Sequence, residues 1–269
     1  MIEIAGKPVK TTPPQLSLSS HEKAILQSLM STHVTYQYDS LAQLSFEIAL
    51  RRNIVAASYL MMNSGAGFTA FAYSRCNPYF FRRLANGGFL LHPHVNAADA
   101  IDDIFRNGHA YDFECATAII ILFYKAVLDS IDRASFNRLF RNLYLYSWEH
   151  DAALNLVTTK GTDFVIGDCV YFNNPDFDPN NDVWRGENTI KLEWDLYFGH
   201  GIATKTAAQV IAHLNSQRRP GATRSAYLLA QVTRLNFTFV RTFSETGYTP
   251  RTGLDQLVVR TDKQHVHLY

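Results

Sequence analysis

Residues Tyr111–Ile119, "YDFECATAI", decide how this chain is read. Cys115 stands beside an acid, Glu114, where the apolar run "ATAIIILFY" begins. The pattern predicts a helix over about residues 113–131, with Asp112 as its N-cap and Cys115 in the first turn. Unpaired backbone N–H groups and the positive end of the helix dipole favour a thiolate at such a position. The small Ala116 and Ala118 leave room for a substrate. The same residues also fit a buried small hydrophobe, the fate of most cysteines. Cys169 falls inside a strand-like run and Cys76 precedes a turn at Asn77-Pro78, so neither competes as a nucleophile.

Outward from that helix, the chain shows no repeat and no low-complexity stretch. Ser19 and Glu22 form a capping-box pattern before a short helix to about Met30. Ser40 and Gln43 repeat the pattern before a long helix to about Asn63, and Gly65 is its expected stop. "FTAFAY", "YFFRRL" and "FLLH" read as strands, the last two joined by the turn "ANGG". Short helices are expected over 97–107 and 135–142. Strands follow in "LYLYSW", "FVIGDCVYF", "ENTIKLEW" and "DLYFGHG", then helices over 206–215 and 224–235. Helices first, antiparallel strands after, is an α+β order. From about Arg241 the pattern dissolves into an exposed tail that ends in a short strand at "DQLVVR". The expected organisation is therefore one domain over 1–240 and an extension over 241–269.

A thiol nucleophile needs a base, and the base needs an orienting partner. Of ten histidines, His200 stands out at the end of the strand "DLYFGHG". A turn centred between Glu193 and Trp194 would place Glu187 directly opposite His200, within reach across the hairpin. The other reading is an ordinary cross-strand charged pair on a solvated face.

With 269 residues the chain can bury a large core in one domain. A formal net charge of +1 gives no electrostatic reason to bind nucleic acid or an anionic membrane. No signal-peptide pattern is visible at the N-terminus, and "ATAIIILFY" is too short to span a bilayer. Synthesis in the cytoplasm is therefore expected. Three cysteines fit neither a disulfide framework nor a zinc-finger spacing, so free thiols in a reducing compartment are expected.

The motifs "YDFECATAI", "GDCVYFNNPDFDP", "WRGENTI", "YFGHGI", "SAYLLAQVTRLN" and "LRRNIVAAS" resemble the spore-coat protein-glutamine gamma-glutamyltransferases of endospore-forming bacteria, over roughly residues 1–238. The resemblance implies a compact papain-like or NlpC/P60-like core with the nucleophile at a helix N-terminus packed on an antiparallel sheet. It implies Cys115 as nucleophile, His200 as base and Glu187 as acid, with Glu114 partly sharing the acid's task. It implies acyl transfer from a protein glutamine through a Cys115 thioester to a lysine ε-amine. Ammonia leaves, and an Nε-(γ-glutamyl)lysine cross-link forms between spore coat proteins. No cofactor and no calcium are implied. Transfer rather than hydrolysis asks for a dry site, for which Trp148, Trp184 and Phe68 are candidate walls. Two other readings stand beside it: a cysteine amidase or protease of the same fold, and a structural coat component without activity.

The stretch "DFDPNNDVWRGE" places Asp176, Asp178, Asn180 and Glu187 at EF-hand loop positions, but Asn181 stands where glycine is needed and Pro179 stiffens the loop. A turn is the simpler reading. His92/His94 and His265/His267 read as exposed histidines, and "SQRRPGATR" as a solvated basic loop that could dock an acidic protein. The sequence leaves the oligomeric state open.

Overall fold

The computed structural model describes residues 1–244 and the two-residue strand Val258–Val259. Seven helices are seen among them: α1 (Ser20–Met30), α2 (Leu41–Asn63), α3 (Ala97–Arg106), α4 (Cys115–Leu128), α5 (Arg133–Leu139), α6 (Ala207–Ser216) and α7 (Phe237–Arg241). The main sheet has six strands: β1 (Leu156–Lys160), β2 (Cys169–Asn173), β3 (Gly186–Glu193), β4 (Leu196–Gly199), β5 (Ala203–Lys205) and β6 (Tyr227–Leu235). Their order is β1-β6-β2-β3-β4-β5, and every neighbouring pair is antiparallel. Mixed helices and an antiparallel sheet are the α+β class that the element order implies.

The sheet is covered on both faces. Alternation along β2 sends Cys169 and Tyr171 into the main core with α2 and α4, and sends Val170 and Phe172 into a second cluster with Val210 and Leu214 of α6. Only Lys125 in α4 escapes full burial, so this helix is apolar all round and runs through the centre of the protein. Among the described residues no helix is long and apolar enough to cross a membrane. The first layer is pinned by charge. Arg51 of α2, fully buried, donates to Glu47 at 2.8 Å and to Asp168 at 2.7 Å, and Arg234 of β6 meets Asp168 at 2.6 Å. This network ties α2 to the entry of β2 and to β6.

Local chemistry explains the helix starts. Ser19 and Glu22 close a full capping box on α1, as Thr206 and Gln209 do on α6. At α2, Ser40 caps Gln43 N–H, but the Gln43 side chain accepts from Asp39 N–H, so the expected box is only half made. Gly65 ends this helix region with φ +85°.

Several sequence expectations are corrected. Residues 224–235 form no helix: Tyr227–Leu235 is β6, the longest strand, paired on both sides. Leu, Ala and Gln favour a helix there, but two ladders of hydrogen bonds and the burial of Val232 and Leu235 outweigh that local preference. Of "FTAFAY" only Phe68 is in a strand, the two-residue Gly67–Phe68, and Phe71–Tyr73 form a short 3₁₀ turn. Strand β1 has no counterpart in the sequence reading. Asp112 is not the N-cap of α4; Asp112–Phe113 is a strand pairing in parallel with Gly67–Phe68, and Glu114 caps the helix. The exposed tail does not start at Arg241, because Val240 and Phe243 are buried in the main core. The short strand expected near the C-terminus is seen at Val258–Val259, paired with His150–Asp151; the rest of 245–269, including His265 and His267, lies outside the described residues.

Candidate active site

Glu114 sets the start of α4. Its carboxyl accepts from Ala116 N–H at 2.6 Å, Thr117 N–H at 2.6 Å and the Thr117 hydroxyl at 2.7 Å. Cys115 is thus the first helical residue, and the amides expected to stabilise its thiolate are already engaged by Glu114. The Cys115 thiol is raised well above its ordinary value, first by burial and then by the nearby Glu187 and Glu114 carboxyls. Burial also raises Glu114 itself, against the pull of its hydrogen bonds. Cys115 therefore rests as a protonated thiol, not the preformed thiolate that a bare helix end would favour.

His200 follows directly on β4. Its ring stacks on Phe113 with centroids 4.6 Å apart, and Nε2 lies 2.9 Å from the Gly67 carbonyl. A carbonyl only accepts, so Nε2 carries the hydrogen and Nδ1 keeps the lone pair. Burial lowers the His200 pKa to about 4, so the ring is a neutral base near pH 7. The parallel pairing of Gly67–Phe68 with Asp112–Phe113 supplies both contacts, holding the carbonyl and the stacking ring in adjacent strands just ahead of Cys115.

The hairpin register differs by one residue from the sequence expectation. Thr189 pairs with Gly199, Ile190 with Phe198 and Lys191 with Tyr197, with an irregularity before the Glu193–Leu196 pair. The turn sits at Trp194–Asp195, and the slip carries through the hairpin. Continued in this register, Asn188 falls level with His200 and Glu187 with Gly201. Glu187 therefore does not face His200; the Gly67 carbonyl and Phe113 orient the imidazole instead. Glu187, paired with Phe172, and Asn188, paired with Tyr171, point to opposite sides of β3. The Glu187 carboxyl packs over Gly199, where an added Cβ would come within 2.6 Å of Oε1. It is fully buried, and neither oxygen makes a hydrogen bond of good geometry, although the Gly201 N–H lies towards it. Burial pushes its pKa up to about 8, so it is held as a neutral acid at neutral pH.

Asn188 is a site residue the sequence reading missed. Its Nδ2 donates to Cys115 Sγ at 3.4 Å, and its Oδ1 is buried with no partner. The signal was the alternation of β3: once Glu187 points one way, its neighbour points towards α4. Nothing in the sequence marked Gly67.

Of the three expected walls, two meet at the site. Phe68 packs 5.2 Å from Trp184 and 6.1 Å from His200, and both aromatics touch the position a Cβ on Gly201 would take. Trp184 also meets His213 of α6 edge-on at 4.7 Å. Trp148 is instead fully buried in the main core; its neighbour Ser147 is held by an N–H bond to Thr117 Oγ1 at 2.8 Å, behind the start of α4. Cys115 itself is only 6% exposed.

The acidic loop is occupied from within. Asp176 accepts from Arg224 Nη2 at 2.6 Å and from the backbone N–H of Thr223 and Arg224, while Asp178 caps the 3₁₀ turn Pro179–Trp184. Among the described residues no cluster of three His, Cys, Asp or Glu side chains is arranged to hold a metal ion.

Residues 1–244 match the sequence model of a family described as protein-glutamine gamma-glutamyltransferase. The chain is 44% identical over 244 residues to a protein-glutamine gamma-glutamyltransferase of Bacillus pumilus, covering 90% of this chain and 98% of that one. It is 43% identical over 236 residues to one from Halalkalibacterium halodurans, covering 88% of this chain and 83% of that one. Among solved structures it is similar to a transglutaminase from Geobacillus stearothermophilus without its C-terminal extension, with a TM-score of 0.74 and 51% identity, covering 77% of this chain and 99% of that one.

Proposed function

The chain belongs to the protein-glutamine gamma-glutamyltransferase family, and on that premise we propose that Cys115, His200, Glu187 and Glu114 carry out its acyl transfer in a papain-like arrangement. Cys115 Sγ attacks the side-chain carbonyl carbon of a protein glutamine as its proton passes to His200 Nδ1. The carbon–nitrogen bond breaks, the same proton goes to the departing nitrogen, and ammonia leaves a thioester on Cys115. A lysine ε-amine then attacks the thioester and gives a proton back through His200. The carbon–sulfur bond breaks, an isopeptide bond forms, and the thiol is restored.

The observation that carries this reading is the neutral His200, with Nε2–H committed to Gly67 and Nδ1 left as a base. A buried thiol and an uncharged base suit a concerted transfer that never leaves a charge waiting in an apolar site. Glu114 caps the helix beside the thiol, and Glu187, held neutral at pH 7, can give or hold a proton during the transfer. Phe68, Trp184 and the low exposure of Cys115 favour aminolysis over hydrolysis by keeping water away. Residues 1–244 act as one catalytic unit, with the rest of the chain as an extension to it. The internal use of Asp176 and Asp178 supports activity without calcium, unaffected by a chelator. Cross-linking of spore coat proteins is the setting that the sequence resemblance supports.

The test is a mass measurement of the intact protein mixed with a glutamine peptide in the absence of amine. An adduct equal to the peptide less ammonia, mapped to Cys115 and released by a primary amine, is the expected result. An adduct elsewhere, or one lost only to water, would overturn it in favour of a hydrolase or an inert fold.

A further inference from the structure

We propose that Asn188 reads the primary amide of the substrate: its Oδ1 accepts a hydrogen bond from the glutamine side-chain NH₂ while its Nδ2 rests on Cys115 Sγ. The inference rests on the Cys115 thioester reading and deepens it by assigning the residue that distinguishes a carboxamide from other acyl groups.

Three observations converge. Asn188 lies on β3, entirely buried, on the side of the strand that faces α4, and donates to Sγ at 3.4 Å. Its Oδ1 is enclosed and has no partner. Nδ2 and Oδ1 share one carbon, so the vacant acceptor lies one amide group's width from the nitrogen that touches the sulfur. A buried acceptor left unpaired costs stability unless something fills it. The group that approaches Cys115 in this family is a carboxamide, which brings two N–H donors on the nitrogen that must leave. One of them satisfies Oδ1. The bond orients the amide plane, so that the carbonyl carbon faces Sγ and the leaving nitrogen stays put until it takes the proton from His200. An ester has no such donor and leaves Oδ1 empty. Sites built around a buried hydrogen bond to substrate reject analogues that lack it far better than sites built on shape.

The test compares one peptide carrying glutamine with the same peptide carrying the γ-methyl ester of glutamate, which has no N–H. Acylation of Cys115 is followed by intact mass for wild type, Asn188→Leu and Asn188→Ala, with circular dichroism confirming the fold. The alanine variant serves if leucine overfills the site. The expected result is a fall in the amide rate of about 100-fold, with the ester rate falling at least 10-fold less, so that the amide-to-ester preference collapses. Equal falls on both peptides would mean that Asn188 only supports the thiol, and an unchanged amide rate would mean that it does nothing; either outcome overturns the proposal. Failure of wild-type Cys115 to accept either acyl group would instead strike the thioester reading itself.

Discussion

Replacing Glu187 by glutamine should stabilise the protein at pH 7 relative to its stability in acid. In the folded chain the Glu187 carboxyl is fully buried, makes no hydrogen bond of good geometry and ionises only near pH 8, against an ordinary value of 4.5. Below pH 4.5 both folded and unfolded chains hold the proton, and the acid costs nothing extra. Between 4.5 and 8 the unfolded chain has ionised and the folded chain has not, so the folded state binds more protons and stability falls as pH rises. At about 1.4 kcal/mol per pKa unit, the loss reaches about 3 kcal/mol at pH 7 and levels off above pH 8. Glutamine fills the same space, stays neutral and has no such slope. Urea unfolding of wild type and Glu187→Gln at pH 4.5, 6, 7 and 8.5 measures the difference directly. Because His200 titrates alike in both proteins, its contribution cancels. The gap between the curves should widen by about 3 kcal/mol in favour of the variant from pH 4.5 to 7, while amine incorporation falls severely. Curves that run parallel across this range would refute the account of Glu187 as an uncompensated buried acid. A functional site that sacrifices stability is the setting in which such an acid is tolerated.

Acylation should hold its rate from pH 7 down to pH 5 and fall only as His200 takes a proton near its depressed pKa of about 4, a limb read from kcat/KM against pH. A fall centred near 6.5 would place His200 in open solvent. Arg51→Met takes from buried Glu47 its ion-pair partner and from buried Asp168 one of its two arginines, and should cost about 3–5 kcal/mol by urea unfolding. Trp184→Ala removes the ring that packs against Phe68 beside His200, so the acyl group should partition more to water; glutamate formation should rise against amine incorporation in a mass-spectrometric assay, with the fold intact.

Much of the fold was legible where local chemistry and burial agree. The capping residues Ser19, Ser40 and Thr206 mark their helices because each answers an unpaired N–H within three residues. The unbroken apolar run of α4 marks a central helix in the same way. The strand β6 was not legible, because "YLLAQVTRL" satisfies helical propensity and owes its extended form to two distant strands. Of the candidate site, Cys115 and His200 stand in distinctive local settings, at a helix start and at a strand end. The relation of Glu187 to His200 was not legible, since a hairpin register depends on where the turn closes, and one residue exchanges Glu187 for Asn188 opposite the histidine. Trp148 and Trp184 are equally prominent as letters; only packing separates the core ring from the one at the site.

The central claim, that Cys115 carries an acyl group from glutamine to an amine, is tested most directly by incorporation of a labelled primary amine into a glutamine-containing protein by wild type and Cys115→Ala. Wild type should incorporate the label with release of an equal amount of ammonia, and Cys115→Ala, folded by circular dichroism, should incorporate none. Label incorporation by the alanine variant at the wild-type rate would contradict the account.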